Sequence, residues 1–114
     1  MTTRHALPGD VIDVLPPGSD LSQVKTEAFF KADGLEVIRM VLPQGKHIPT
    51  HHTPGPITVQ CLAGRIEFTA YGKPIELKAG ELIYLTPNEP HALLALETSA
   101  VLVTLRLQTE GNAD

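Results

Sequence analysis

The last apolar stretch of the chain alternates. Val101, Val103, Leu105 and Leu107 fall on one side of an extended segment, with Thr104, Arg106 and Gln108 on the other. A period of two with one apolar side marks a strand that buries one face. Comparable segments recur upstream. Residues 24–31 and 35–42 flank Ala32-Asp33-Gly34, a hairpin turn signal. Residues 57–62 and 65–70 flank Ala63-Gly64, and Tyr71-Gly72-Lys73-Pro74 leads into a strand over 75–78. A strand over 81–85 precedes the turn Thr86-Pro87-Asn88-Glu89-Pro90, and strands over 91–97 and 101–108 close the set. Short strands about 8–12 residues apart, punctuated by Gly and Pro, predict an all-β antiparallel sandwich or barrel.

The first twenty residues read differently. Pro8, Gly9, Pro16, Pro17 and Gly18 predict an extended arm with one short strand over 11–15, and a brief helical turn follows Asp20. No long amphipathic helix is patterned anywhere. The expected organisation is an arm over 1–20, one β domain over 21–108 and a frayed polar tail over 109–114.

Composition narrows the function classes. A chain of 114 residues is one domain's worth, and 42% apolar with 19% charged residues is ordinary for a globular protein. Aromatics are only 4%, so Val, Leu and Ile must fill the core. The net charge is -4 and no basic cluster occurs, which argues against a nucleic-acid partner. No apolar run approaches the roughly 20 residues that span a bilayer, and residues 1–10 lack an apolar signal core. A single cysteine forms no internal disulfide. The expectation is a soluble cytoplasmic protein without membrane contact.

Candidate chemistry concentrates in residues 45–64. His47, His51 and His52, three of the five histidines, lie there, with no Asp or Glu beside them. Neutral imidazoles suit Zn, Fe, Ni or Cu. On a regular strand, His51 and His52 point to opposite faces and His47 shares the side of His51. A bulge beside Pro49 or Pro54 would turn both members of the doublet inward. The same parity puts Ile57, Val59 and Cys61 on one face and Thr58, Gln60 and Leu62 on the other, so Gln60 points away from a site lined by Ile57. Cys61 then reads as a small core residue. Phe68, Tyr71 and Tyr84 read as core or rim, Glu89 as a solvated turn residue, and His5 as inert.

These residues carry a family resemblance. Gly45, His51 and Gly64 fall into the first motif of the cupins: Gly, five residues, His-x-His, three or four residues, Glu, six residues, Gly. Gly80 and His91 fit the second: Gly, five residues, Pro-x-Gly, two residues, His. Thr86 takes the Pro place and Asn88 the Gly place, and Asn tolerates positive φ. Over residues 35–107 the chain thus resembles a small single-domain cupin, which implies an antiparallel jelly-roll β-barrel. The departures fall on the chemistry. In either spacing of the first motif only one histidine is kept, His51 or His52, and Ile57 stands where the family has its metal-binding Glu. The resemblance implies a cavity that His91 lines; the bland alternative is a His91 that caps the strand mouth, bonded to backbone.

Two functions follow from the resemblance. One is a cavity that holds a divalent transition metal (Zn, Fe, Ni, Mn or Cu) weakly through His51, His91 and His52 or His47, and acts on a small organic molecule. The other is a metal-free module that binds or senses a small-molecule ligand. The resemblance also implies a homodimer, with the arm packed on the partner.

Overall fold

The computed structural model describes residues 5–107; the expected tail over 109–114 and the last residue of the expected final strand lie outside them. Nine strands form among the described residues: β1 Glu27–Ala32, β2 Leu35–Leu42, β3 His47–His51, β4 Ile57–Ala63, β5 Arg65–Ala70, β6 Lys73–Lys78, β7 Leu82–Leu85, β8 His91–Ala95 and β9 Ser99–Arg106. They build a five-stranded sheet in the order β1-β2-β9-β4-β7 and a four-stranded sheet in the order β3-β8-β5-β6, every pairing antiparallel. Two sheets with this strand exchange form the jelly-roll barrel that the pattern of short strands predicts.

Alternation decides which residues fill the barrel. Along β4, Ile57, Val59 and Cys61 are buried while Thr58, Gln60 and Leu62 are less so. Val101, Val103 and Leu105 of β9 pair in register with Cys61, Val59 and Ile57, so both strands present the same apolar rows inward. Ile66 and Phe68 of β5, with Leu93 and Ala95 of β8, join the same core from the other sheet. One end of the barrel is thereby plugged by Cys61, Ile66, Leu77, Ala95 and Val101, each at most 6% exposed.

The tight turns follow their residues. Asp33 and Gly34 have φ of 55° and 78°, and Tyr71 and Gly72 have φ of 53° and 74°. Two consecutive positive φ values make the two-residue turn whose twist matches a hairpin. The helical turn expected after Asp20 is a 3-10 turn, Leu21–Gln23, which the Asp20 carboxylate caps at the Ser22 N–H.

The structure departs from expectation in the arm and at β3. The arm forms no strand over 11–15; Val11 is 98% exposed, and a short apolar stretch alone does not separate a solvated extended chain from a paired one. The rest of the arm contacts its own sheet. The Ala6 N–H donates to the Phe29 carbonyl at 2.9 Å, and Arg39, 8% exposed on the outer side of β2, donates to Val14 and Lys25 carbonyls, lies 3.2 Å from Glu27 and covers the Phe29 ring at 5.2 Å. β3 in turn is a strand that the sequence pattern hides, because Pro49 interrupts it. A proline is accommodated there because β3 is an edge.

Gly64 ends the β4–β5 connection with φ 83°, and a Cβ there would meet the Thr98 carbonyl oxygen at 2.5 Å as well as the Ser99 hydroxyl. That hydroxyl is occupied in binding Arg65 and Glu97 backbone groups and does not move aside freely. Gly64→Ala should therefore lose about 2–5 kcal/mol, from the left-handed backbone and overpacking together. Urea unfolding with an unchanged m-value and a lower midpoint is the expected result; a midpoint within error of wild type would refute the close approach.

Candidate functional site

The unplugged end of the barrel holds a cavity of about 160 Å3. Its wall is mostly aliphatic, with Ile57, Val59, Leu93, Val103 and Leu105 around the Phe68 ring, and its polar side chains are His51, Thr53 and His91. The strand register explains why the histidines meet. His51 closes β3 and His91 opens β8, and the two are paired partners. Their ring centroids lie 4.3 Å apart in an edge-on arrangement at 60°, and Phe68 lies nearly parallel to His91 at 5.6 Å.

A bulge selects which histidine enters. Pairing runs His47 with Leu94 and Ile48 with Leu93, then slips so that His51 meets His91. Ile48 and His51, three residues apart, consequently both line the cavity, and the regular parity that would have given His47 the side of His51 is broken. His47 and His52 are exposed and do not line the cavity, although His52 lies close enough to disfavour a charge on His91. The bulge falls beside Pro49, yet it turns inward one member of the doublet rather than both. Gln60 points away, as parity predicts, and donates to the Gly80 carbonyl at 3.3 Å. Cys61 is fully buried in the barrel's plugged end, where burial pushes its thiol pKa up, the opposite of a catalytic thiolate.

His91 is both cavity-lining and bonded to backbone, so the two alternatives for it are not exclusive. Its Nδ1 donates to the Glu89 carbonyl at 2.9 Å, and the Nδ1 of His51 donates to the Pro49 carbonyl at 3.0 Å. The turn behind His91 is braced by contacts that the strand pattern does not encode. Asn88 takes φ 65°, the conformation its motif place requires, and its N–H donates to the Thr53 carbonyl at 2.8 Å. Tyr71 hydrogen-bonds the Thr86 hydroxyl at 2.8 Å and accepts from the Thr86 N–H at 3.0 Å. The Glu89 carboxylate accepts from the Tyr71 N–H at 2.8 Å, so Glu89 ties two turns together where simple solvation was expected. Nothing in the sequence signals this brace, which joins residues 15 to 18 apart across two loops.

The donor set can be compared with what a metal needs. A catalytic centre of this kind takes three protein ligands beside an open position. Here the family's carboxylate place is Ile57, 5% exposed in an apolar wall, and the Thr53 hydroxyl already donates to the Gly55 carbonyl. Among the described residues, no three His, Cys, Asp or Glu side chains gather as a metal site. Two imidazoles without a third donor do not complete a centre.

Comparison with known proteins agrees with the fold. The cupin domain family model matches residues 38–105, more than half of the chain, and the chain belongs to the cupins. No curated protein matches it in sequence. Among solved structures, a conserved protein of unknown function from Streptococcus pyogenes is similar at TM-score 0.73 and 22% identity, over 93% of this chain and 94% of that one. A cupin superfamily protein from Desulfitobacterium hafniense follows at TM-score 0.72 and 14% identity, over 87% and 100%. A DMSP lyase from Ruegeria pomeroyi has TM-score 0.63 and 28% identity over 69% of this chain, which spans only 41% of that enzyme. Such neighbours establish the fold, and a fold shared by enzymes and proteins of unknown function carries no substrate. No helix among the described residues is long and apolar enough to cross a membrane.

Burial lowers the His91 pKa below the ordinary value of about 6.5, and repulsion from His51 adds to it, against the hydrogen bond to Glu89 that favours the charged ring. The unfolded chain therefore takes up this proton more readily than the folded one. The stability His91 contributes as a neutral ring is full above about pH 6.5 and is lost as pH falls toward the depressed folded value. Urea midpoints measured from pH 8 to 5 should fall on the acid side, and the fall should be shallower in His91→Phe; identical slopes would remove His91 as the cause.

Proposed function

We propose that this chain is a metal-free cupin module that binds or senses a small, largely apolar molecule in its barrel. The observation that carries the reading is the His51–His91 pair standing without a third ligand in an apolar cavity, with Ile57 in the carboxylate place. A dry apolar cavity of about 150 Å3 suffices to hold benzene, so a space of about 160 Å3 suits a ligand of that size. Apolar lining with a few polar groups is the usual chemistry of small-molecule sites.

A weak transition-metal site through the same two histidines is the second reading, favoured by their Nδ1–carbonyl bonds, which leave Nε2 available as metal-ligating histidines do. Thermal melts separate the two. The wild-type Tm should not respond to Zn or Mn, whereas Ile57→Glu should melt lower without metal and recover with it, because the new carboxylate completes a mixed nitrogen–oxygen set. A gain of tenfold or more in metal affinity, about 1.4 kcal/mol, is expected for that variant. A stoichiometric metal in protein purified without a His-tag, or a wild-type Tm raised by Zn, would overturn the metal-free reading.

A homodimer belongs to the same reading. Leu82 and Tyr84 stand 54% and 59% exposed on β7, at the edge of the five-stranded sheet, and they support a contact between copies. Sedimentation at tens of micromolar should give a dimer that Tyr84→Lys weakens; a wild-type monomer would rule it out.

A further inference from the structure

The polarity of the cavity mouth specifies more than ligand size. A carbonyl oxygen only accepts hydrogen bonds, so the Nδ1 atoms of His51 and His91, at 3.0 and 2.9 Å from the Pro49 and Glu89 carbonyls, must each carry a hydrogen. In a neutral imidazole the remaining nitrogen, Nε2, is then an acceptor with no proton to give. Both rings line the cavity, 4.3 Å apart, and the nitrogen that each leaves without a partner is an acceptor. No Lys or Arg lines the cavity. An anionic ligand would find no fixed cation there, and making one means protonating a ring set in a mostly apolar wall. A ligand that only accepts would leave both imidazole lone pairs without a donor, a costly arrangement once water is displaced.

Resting on the reading that the barrel binds a small molecule, we infer that its ligand is a neutral compound with a compact apolar body of about benzene's size and one hydroxyl, as in a phenol or a small apolar alcohol. The hydroxyl donates to Nε2 of His51 or His91, and the body lies against Phe68, Ile57 and Val103. The recognition differs from that of a purely apolar cavity, where a hydroxyl loses its water partners and is excluded.

The test is a set of NMR titrations of the full chain at pH 7.5 with phenol, toluene, anisole and benzoate, which share a ring and differ at the polar end. Phenol should bind at least tenfold tighter than toluene or anisole, and benzoate weakest. In His91→Phe, which leaves only the His51 acceptor, the phenol preference over toluene should shrink at least threefold. His51→Leu, on an exposed position of an edge strand, should reduce the phenol preference at least threefold if His91→Phe does not fold. Toluene or anisole matching phenol in the wild type, or benzoate binding best, overturns the inference while leaving a small-molecule cavity in place. If none of the four ligands binds, the cavity reading itself fails and the inference fails with it.

Discussion

The structure depends on the way the two sheets close over Phe68. This ring is 1% exposed, belongs to the core cluster and also forms the floor of the cavity, where it stacks on His91. Below it, Ile66, Cys61 and Val101 leave no space; above it, the wall opens. Burying a phenyl group of this kind stabilises by about 1.5–3 kcal/mol, and its removal leaves a void that costs more. Because one side chain serves both the packed and the open halves of the barrel, the position of His91 is tied to the packing of the core. The histidine pair is consequently fixed to rigid strands, which hold a ligand group more accurately than loops do.

Above Phe68, local backbone chemistry takes over. Each histidine is oriented by a carbonyl two residues earlier in its own segment, and the segment behind His91 is held by Tyr71 and Glu89. These contacts decide which ring nitrogen is left without a partner. The presence of Ile57 at the family's acid place then sets the character of the site: a carboxylate would add a donor for a cation, while a sec-butyl group leaves that wall apolar. The family fold is retained, and the chemistry at one position departs from it.

Much of the barrel was legible in the sequence, because its strands obey a single rule. The inward rows of β4 and β9 can be read off Ile57, Val59, Cys61 and Val101, Val103, Leu105 without a structure, and Asp33-Gly34 and the Asn88 turn announce themselves by residue type. The misses have separate causes. Parity propagates along a strand only while pairing is regular, and the slip between Ile48 and His51 is a property of the partner strand as much as of β3. That propagation puts His47 on the side of His51, and the slip parts them. The arm fails for a different reason: Val11, Ile12, Val14 and Leu15 are apolar enough for a strand, but these residues pair with none of the sheet edges. The link from Glu89 to Tyr71 is a contact between loops, and no periodicity encodes it.

The bulge in β3 has an evolutionary side. The cavity place is reached by counting three residues from Ile48, through Pro49 and Thr50, to His51, and a second histidine follows immediately. The register spends three residues of β3 on two of β8, so loss of Pro49 or Thr50 would leave His51 opposite His91. The pocket would keep an imidazole at its mouth while the strand became regular. The extra residue of a bulged edge strand is therefore slack in the register: a one-residue deletion that elsewhere in a sheet would turn every following side chain over leaves the same imidazole opposite His91.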